Sequence, residues 1–294
     1  MKGIIRAGGN GTRLYPSTKA VNKHFFPVYD KPAIYYPVSL LIMTGVTEIL
    51  LSVFRKDLSA YYELFGDGNR FGISIRYQPE NRPMTVPETL LENSDFIGTD
   101  TVAVALGDNV FIGEQLSGTM RLAAKHFQKT KGATVFCKEV DDPRDYGVLE
   151  YDVDGRIRSL ESKPQNPRSK YAVTGVFFFD AAVFDTIKRT KPSENGSVNF
   201  GDMLRQYLSE GRLHSEILDE GIQWFDTGTP ERLWQAGNAV RAFQNRHSVC
   251  AGSIEEAAFE NGLIDKNRFL ALSEEINTSE YGRRLEEHAS VRFK

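Results

Sequence analysis

Apolar residues along the chain fall into two patterns, short unbroken runs and helical stripes, and the two alternate. Ile4-Ile5, Glu48 to Val53 and Val102 to Leu106 are runs of the kind that make buried strands, and Ile73 to Gln78 alternates as a further strand. Ile34 to Gly45 and Leu58 to Phe65 space their apolar residues three and four apart, which predicts helices with one covered face. Strand, helix, strand in that order predicts a right-handed parallel crossover. Glu88 to Asp95 and Leu116 to Lys129 read as further helices, and Ala133 to Phe136 as a strand. The prolines of Pro79 to Pro87 interrupt any period and predict a loop.

Past Asp142 the pattern changes. Asp142 to Tyr151 alternates and enters a hairpin through Asp154-Gly155, and strands and turns dominate as far as Phe179. Ala181 to Arg189 and Gly201 to Gly211 are helical candidates. Glu231 to Asn245 is amphipathic, with Thr229 placed as N-cap and Pro230 at the first helical position. Cys250 to Lys294 reads as short helices polar enough to pack on the outside. The expected fold is α/β: a Rossmann-like, mostly parallel central sheet flanked by helices. Residues 1–240 would form this domain, with a β-rich portion at about 140–225, and 241–294 a helical tail that packs on it and is a candidate subunit contact.

Composition narrows the partners. The 294 residues are 40% hydrophobic and 26% charged, as in an ordinary globular protein. A net charge of −3 excludes a nucleic acid held by bulk electrostatics, so any phosphate must be met by a local cluster of cations. Two cysteines, Cys137 and Cys250, make neither a disulfide framework nor a metal-ligand spacing. No apolar run is long enough to span a bilayer, and no signal-like leader precedes the first strand, so a cytoplasmic protein without a membrane partner is expected.

Candidate chemistry starts at Met1 to Leu14. Gly8, Gly9 and Gly11 remove side chains where the chain leaves the first strand, backbone N–H groups can then face an anion, and Arg13 adds a cationic fork. The spacing is neither that of a P-loop nor that of the dinucleotide fingerprint. Alone, the stretch is as readily an ordinary glycine-rich turn. Asp108 follows the carboxyl end of Val102 to Leu106, where open α/β sheets bind ligands. It could hold a divalent cation against phosphate oxygens or simply serve as a turn residue. Asp226, in Trp224-Phe225-Asp226-Thr227-Gly228-Thr229-Pro230, is a second carboxylate on an apolar segment that turns at once.

Taken in order, Met1 to Leu14, Lys19 to Pro32, Tyr35-Tyr36-Pro37, Leu106 to Asn109, Asp145 to Val148, Lys163-Pro164, Tyr171 to Gly175 and Trp224 to Thr229 resemble the sugar-phosphate nucleotidyltransferases, and among them the glucose-1-phosphate thymidylyltransferases. The resemblance covers nearly the whole chain, including the tail from Cys250 to Asp265 found in the short, tetrameric branch. It implies that a sugar 1-phosphate attacks the α-phosphorus of a nucleoside triphosphate, by resemblance glucose 1-phosphate and dTTP, with release of pyrophosphate. It also implies Arg13, Lys23 and Lys163 as catalytic residues and Mg²⁺ held by Asp108 and Asp226. Gly8, Gly9, Gly11, Thr12, Arg13, Lys23, Gln78, Thr85 and Asp108 would bind the nucleotide. Asn109, Tyr146, Gly147, Glu161, Ser162, Lys163 and Val173 would bind the sugar phosphate. A homotetramer, or dimer of dimers, is implied as the assembly.

Some positions depart from the family pattern. Arg6 stands for a leucine, His24 for a glutamine, Met84 to Thr89 for the base-reading Asp-Gly-Leu-Ala-Gln-Ala, Ser162 for a carboxylate, and Asn199 to Asp202 for Glu-Ile-Thr-Asp. These fall on the base loop and the sugar pocket and spare the phosphate and metal positions. They leave, as the alternative, a catalytically weak or inactive relative that binds a nucleotide or a partner subunit.

Overall fold

The computed structural model describes residues 1–194, 196–247 and 249–292. Nine strands form one sheet. At its centre Lys2–Ala7 lies parallel to Glu48–Phe54 on one side and to Val102–Leu106 on the other, and Ser74–Glu80 extends the parallel half. The runs of β-branched and aliphatic residues are explained by this position: Ile4, Ile5, Leu51, Val53, Val102 and Val104 are all buried, because helices cover both faces. The crossover through Tyr35–Met43 is the one expected from the sequence.

Tyr171–Phe179 is where the sheet changes direction. It runs antiparallel to Val102–Leu106 through Val176 to Phe179, and to Ala133–Glu139 along most of its length. Its first residues pair with Gly147–Tyr151, which closes a hairpin with Ile157–Ser162. The β-rich portion is therefore the antiparallel continuation of the same sheet. Outside that sheet Asn109–Ile112 pairs antiparallel with Gln223–Asp226, placing Asp226 opposite Asn109. This ribbon has no signature in the local sequence, where Asn109 reads as part of a turn, and it joins two segments more than a hundred residues apart.

Two expectations are corrected. The loop expected at Pro79 to Pro87 is shorter: the strand continues to Glu80 and a helix spans Val86–Glu92, ahead of the expected Glu88. The reason is a capping box, in which Thr85 Oγ1 accepts the Glu88 N–H while the Glu88 carboxylate accepts the Thr85 N–H. Pro87 falls in the first turn, where the missing N–H would have no helical partner anyway. The tail also does more than cover the outside. Its helices Ile254–Glu260, Lys266–Glu275 and Glu280–Arg292 bury Ile254, Phe269, Leu272, Tyr281 and Leu285 in the same apolar cluster as Ile5 and Leu41. Of the tail assigned to 241–294, residues 248, 293 and 294 lie outside the described residues.

Polar groups tie this tail down. Lys31, almost wholly buried, pairs with Asp30, donates to Gln244 and lies over the rings of Tyr36 and Tyr281. The Tyr281 hydroxyl donates to Glu255. No helix among the described residues is long and apolar enough to cross a membrane.

Candidate active site

At the carboxyl ends of the parallel strands a cavity of about 370 Å³ opens, lined by residues from six separate stretches of chain, among them Gly9, Arg13, Lys23, Asp108, Tyr146, Lys163, Gly175 and Asp226. The first strand delivers the glycine turn, and Val102–Leu106 delivers Asp108. Thr227 fixes Asp108 from across the ribbon, with both its N–H and its hydroxyl donating to the Asp108 carbonyl at 2.9 Å. The two carboxylates are thereby forced into one cavity.

Their electrostatics differ accordingly. Burial alone would push the Asp108 carboxyl up, but the Lys23 ammonium, bonded directly to it, outweighs burial and holds it well below the usual carboxylate range. Asp226 is pushed up, first by burial and then by the negative charge of Asp108, and Arg13 opposes this from 3.7 Å. Two carboxylates lining one cavity, one of them raised by the charge of the other, are a donor set that a divalent cation neutralises. Oxygen ligands of this kind suit Mg²⁺, which takes its remaining ligands from water and phosphate.

Arg13 reaches Asp226 because Gly228 has no side chain: a Cβ there would collide with the guanidinium. Behind Lys23, His24 is fully buried, and desolvation together with the neighbouring Lys23 charge pushes its imidazole down to about 3. It is therefore neutral, with Nδ1 3.0 Å from the Tyr61 hydroxyl. Arg6 lines the cavity and also donates from Nε to the Met84 carbonyl, so the cation expected beside the phosphate turn is shared with the base loop.

Opposite this wall lies the segment expected to meet the sugar. Tyr146 rests against Trp224, ring centroids 4.8 Å apart, and burial pushes its phenol up to about 12. The Tyr146 carbonyl accepts the Lys163 N–H at 2.8 Å, and Lys163 holds a left-handed backbone, φ 48°. For a non-glycine residue that conformation is uncommon, and here it occurs at the lip of the cavity. Among the described residues the Lys163 ammonium makes no ion pair. Asn109 is buried beside Asp108 and accepts from Trp224 Nε1 at 2.6 Å.

Of the residues expected to bind substrate or metal, Gly9, Arg13, Lys23, Asp108, Asn109, Tyr146, Lys163 and Asp226 line the cavity together, joined by two of the departures, Arg6 and His24. The others stand back from it. Gly8 packs on the Glu80 carboxylate, Gly11 supplies the left-handed turn before Thr12, and Gly147 sits behind Val173. Glu161 is 3.6 Å from Arg168, Ser162 ends its strand exposed, and the Thr85 hydroxyl serves as a helix cap. Gln78 stands on the strand edge, partly exposed.

Among the residues that escaped the sequence reading as site members, three bear most on the chemistry: Trp224, Gly228 and Arg232. The first two lie within the segment around Asp226 and could have been found there. Arg232 carries no local signal, yet its guanidinium touches Asp145 and, at 3.4 Å, Asp226.

Known proteins resemble this chain over nearly its whole length. The family model for nucleotidyl transferase matches residues 2–242. The glucose-1-phosphate thymidylyltransferase of Neisseria meningitidis serogroup A is 41% identical over 97% of this chain and 98% of its own length. That of Mycolicibacterium smegmatis is likewise 41% identical over 97% and 98%. Among solved structures, a Bacillus anthracis protein named for the same activity and bound to a sucrose superposes with a TM-score of 0.75 at 36% identity, covering 82% of this chain and 95% of that one. A UDP-glucose pyrophosphorylase at 24% identity shares the fold, with a TM-score of 0.71.

Proposed function

The chain belongs to the nucleotidyl transferase family, and on that premise we propose that it is an enzyme joining a nucleoside triphosphate to a sugar 1-phosphate, with dTTP and glucose 1-phosphate as the pair its relatives' names point to. The observation that carries the reading is the meeting of Arg13, Lys23, Asp108, Lys163 and Asp226 around one cavity at the strand ends. Each residue alone has an ordinary structural explanation; five converging do not.

In the reaction a phosphate oxygen of the sugar 1-phosphate bonds to the α-phosphorus, and the bond to the bridging oxygen of the β-phosphate breaks, so that pyrophosphate leaves with that electron pair. No covalent intermediate on the protein is needed, and the work is positioning and charge neutralisation. The backbone at Gly9 and the Arg13 fork would receive the β- and γ-phosphates. Lys23, held beside Asp108, would face the α-phosphate, where negative charge gathers in the transition state. Lys163, whose ammonium makes no ion pair among the described residues, would take the acceptor phosphate and bring it in line. Asp108 and Asp226 would hold Mg²⁺, which, when bound, neutralises the reacting phosphate oxygens.

A cytoplasmic setting fits two buried, unbridged cysteines. A homotetramer belongs to the same reading, and sedimentation velocity would measure it. The activity is tested by pyrophosphate release with dTTP, UTP, CTP, GTP and ATP against glucose 1-phosphate and other sugar 1-phosphates. Turnover should be fastest with dTTP and glucose 1-phosphate and fall by roughly a hundredfold or more in Asp108→Asn and Asp226→Asn, the scale of removing a charge-stabilising group. If no pair exceeds those variants, the enzyme reading is lost.

A further inference from the structure

Arg232 occupies a position the proposed reaction leaves unused. It is in the first turn of helix Pro230–His247, and its side chain lies mostly buried at a corner where separate parts of the site meet. One guanidinium nitrogen is 3.4 Å from Asp226 Oδ2, the other bonds Asp145, and the central carbon lies over the Tyr146 ring, 5.3 Å from its centroid. Asp226 belongs to the metal and triphosphate side. Asp145 and Tyr146 begin the sugar-facing segment, which Tyr146 anchors through Lys163 on one side and Trp224 on the other. A planar fork with donors on both arms can span two carboxylates and stack on a ring at once; a lysine cannot.

Resting on the reading above, we infer that Arg232 is a positioning residue that couples the two halves of the site: shared between Asp145 and Asp226, it sets how available Asp226 is to a divalent cation and holds the sugar-facing segment in place. The physical reason is competition for one oxygen. Asp226 Oδ2 faces Arg232 at 3.4 Å and Arg13 at 3.7 Å, and a cation bound there must share or displace that contact. Asp145 draws the guanidinium the other way. When Asp226 is engaged by a cation, Arg232 is left to Asp145 and Tyr146, so occupancy of the metal side tightens the sugar side. By linkage the reverse also holds.

The experiment uses the full chain with Mn²⁺ as probe, its binding followed by electron paramagnetic resonance. Arg232→Gln should bind Mn²⁺ roughly tenfold more tightly and Asp145→Asn roughly threefold more weakly, the scale of partly screened charges at this range. General electrostatics would give those signs at any nearby position, so the deciding measurement is the pair: in the Arg232→Gln background Asp145→Asn should have almost no further effect. A second readout is Trp224 emission, isolated by replacing the exposed Trp234 with phenylalanine. It should change in Arg232→Gln and in Arg232→Lys, because both release Tyr146 from the stack. In steady state Arg232→Gln should raise KM for the sugar 1-phosphate about tenfold while KM for the nucleotide moves little.

Equal effects of Asp145→Asn with and without Arg232, or Trp224 emission unmoved in both Arg232 variants, would overturn the inference. Failure of turnover in the wild type strikes the proposed reaction instead, since the Mn²⁺ and emission measurements need no substrate.

Discussion

At the scale of single residues, burial without a charge partner matters as much as contact. His24 sits against Lys23 with its imidazole held neutral, its ordinary value of 6.5 lowered to about 3. As the pH falls below 6.5 the unfolded chain takes up a proton there that the folded chain refuses, so stability declines toward pH 3 by up to about 1.4 kcal/mol per pH unit from this group. His24→Gln should flatten the acid side of a urea-unfolding series between pH 6.5 and 4 by close to one proton. An unchanged slope would mean that the ring takes a proton while folded. The resemblance located this position as a departure from the family pattern. Its neutrality was not legible, because that depends on the Lys23 charge, on Tyr61 from a helix nearly forty residues away, and on the close approach of Gly107.

At the scale of elements, the base-facing loop is the instructive case. Thr85 stands where the family pattern has a glycine, and the resemblance implies it as a nucleotide contact. In the fold it opens the helix Val86–Glu92 through a reciprocal pair of hydrogen bonds with Glu88. Thr85→Ala should cost about 1 kcal/mol in denaturant unfolding, the usual value of an N-cap. A loss of nucleotide affinity without loss of stability would return the residue to the binding role. Thr-x-x-Glu was visible in the chain as a capping signature, but the prolines on either side, Pro83 and Pro87, carried the stronger loop signal. Helix Pro230–His247, by contrast, begins where Thr229 and Pro230 placed it, with the Thr229 hydroxyl accepting the Arg232 N–H. The same cap fixes the first turn from which Arg232 reaches the site.

At the scale of the whole molecule, the tail and the central sheet share one core. Leu285 in the last helix is fully buried in the cluster that includes Ile5 and Leu41. Leu285→Ala should therefore destabilise the entire chain by about 2–5 kcal/mol in a single cooperative transition; a separate, early transition of the tail would show that it folds apart. The sequence alone determined the parallel strands, their crossover helix, the hairpin at Asp154-Gly155 and the strand-end position of Asp108, because each depends on periodicity or turn chemistry within a few residues. Tertiary structure alone decided that Asn109–Ile112 pairs with Gln223–Asp226 and so sets Asp108 against Asp226, that the tail helps form the core, and that Arg232 bridges Asp145 and Asp226. Those outcomes rest on contacts between segments remote in the chain, for which a local pattern holds no record.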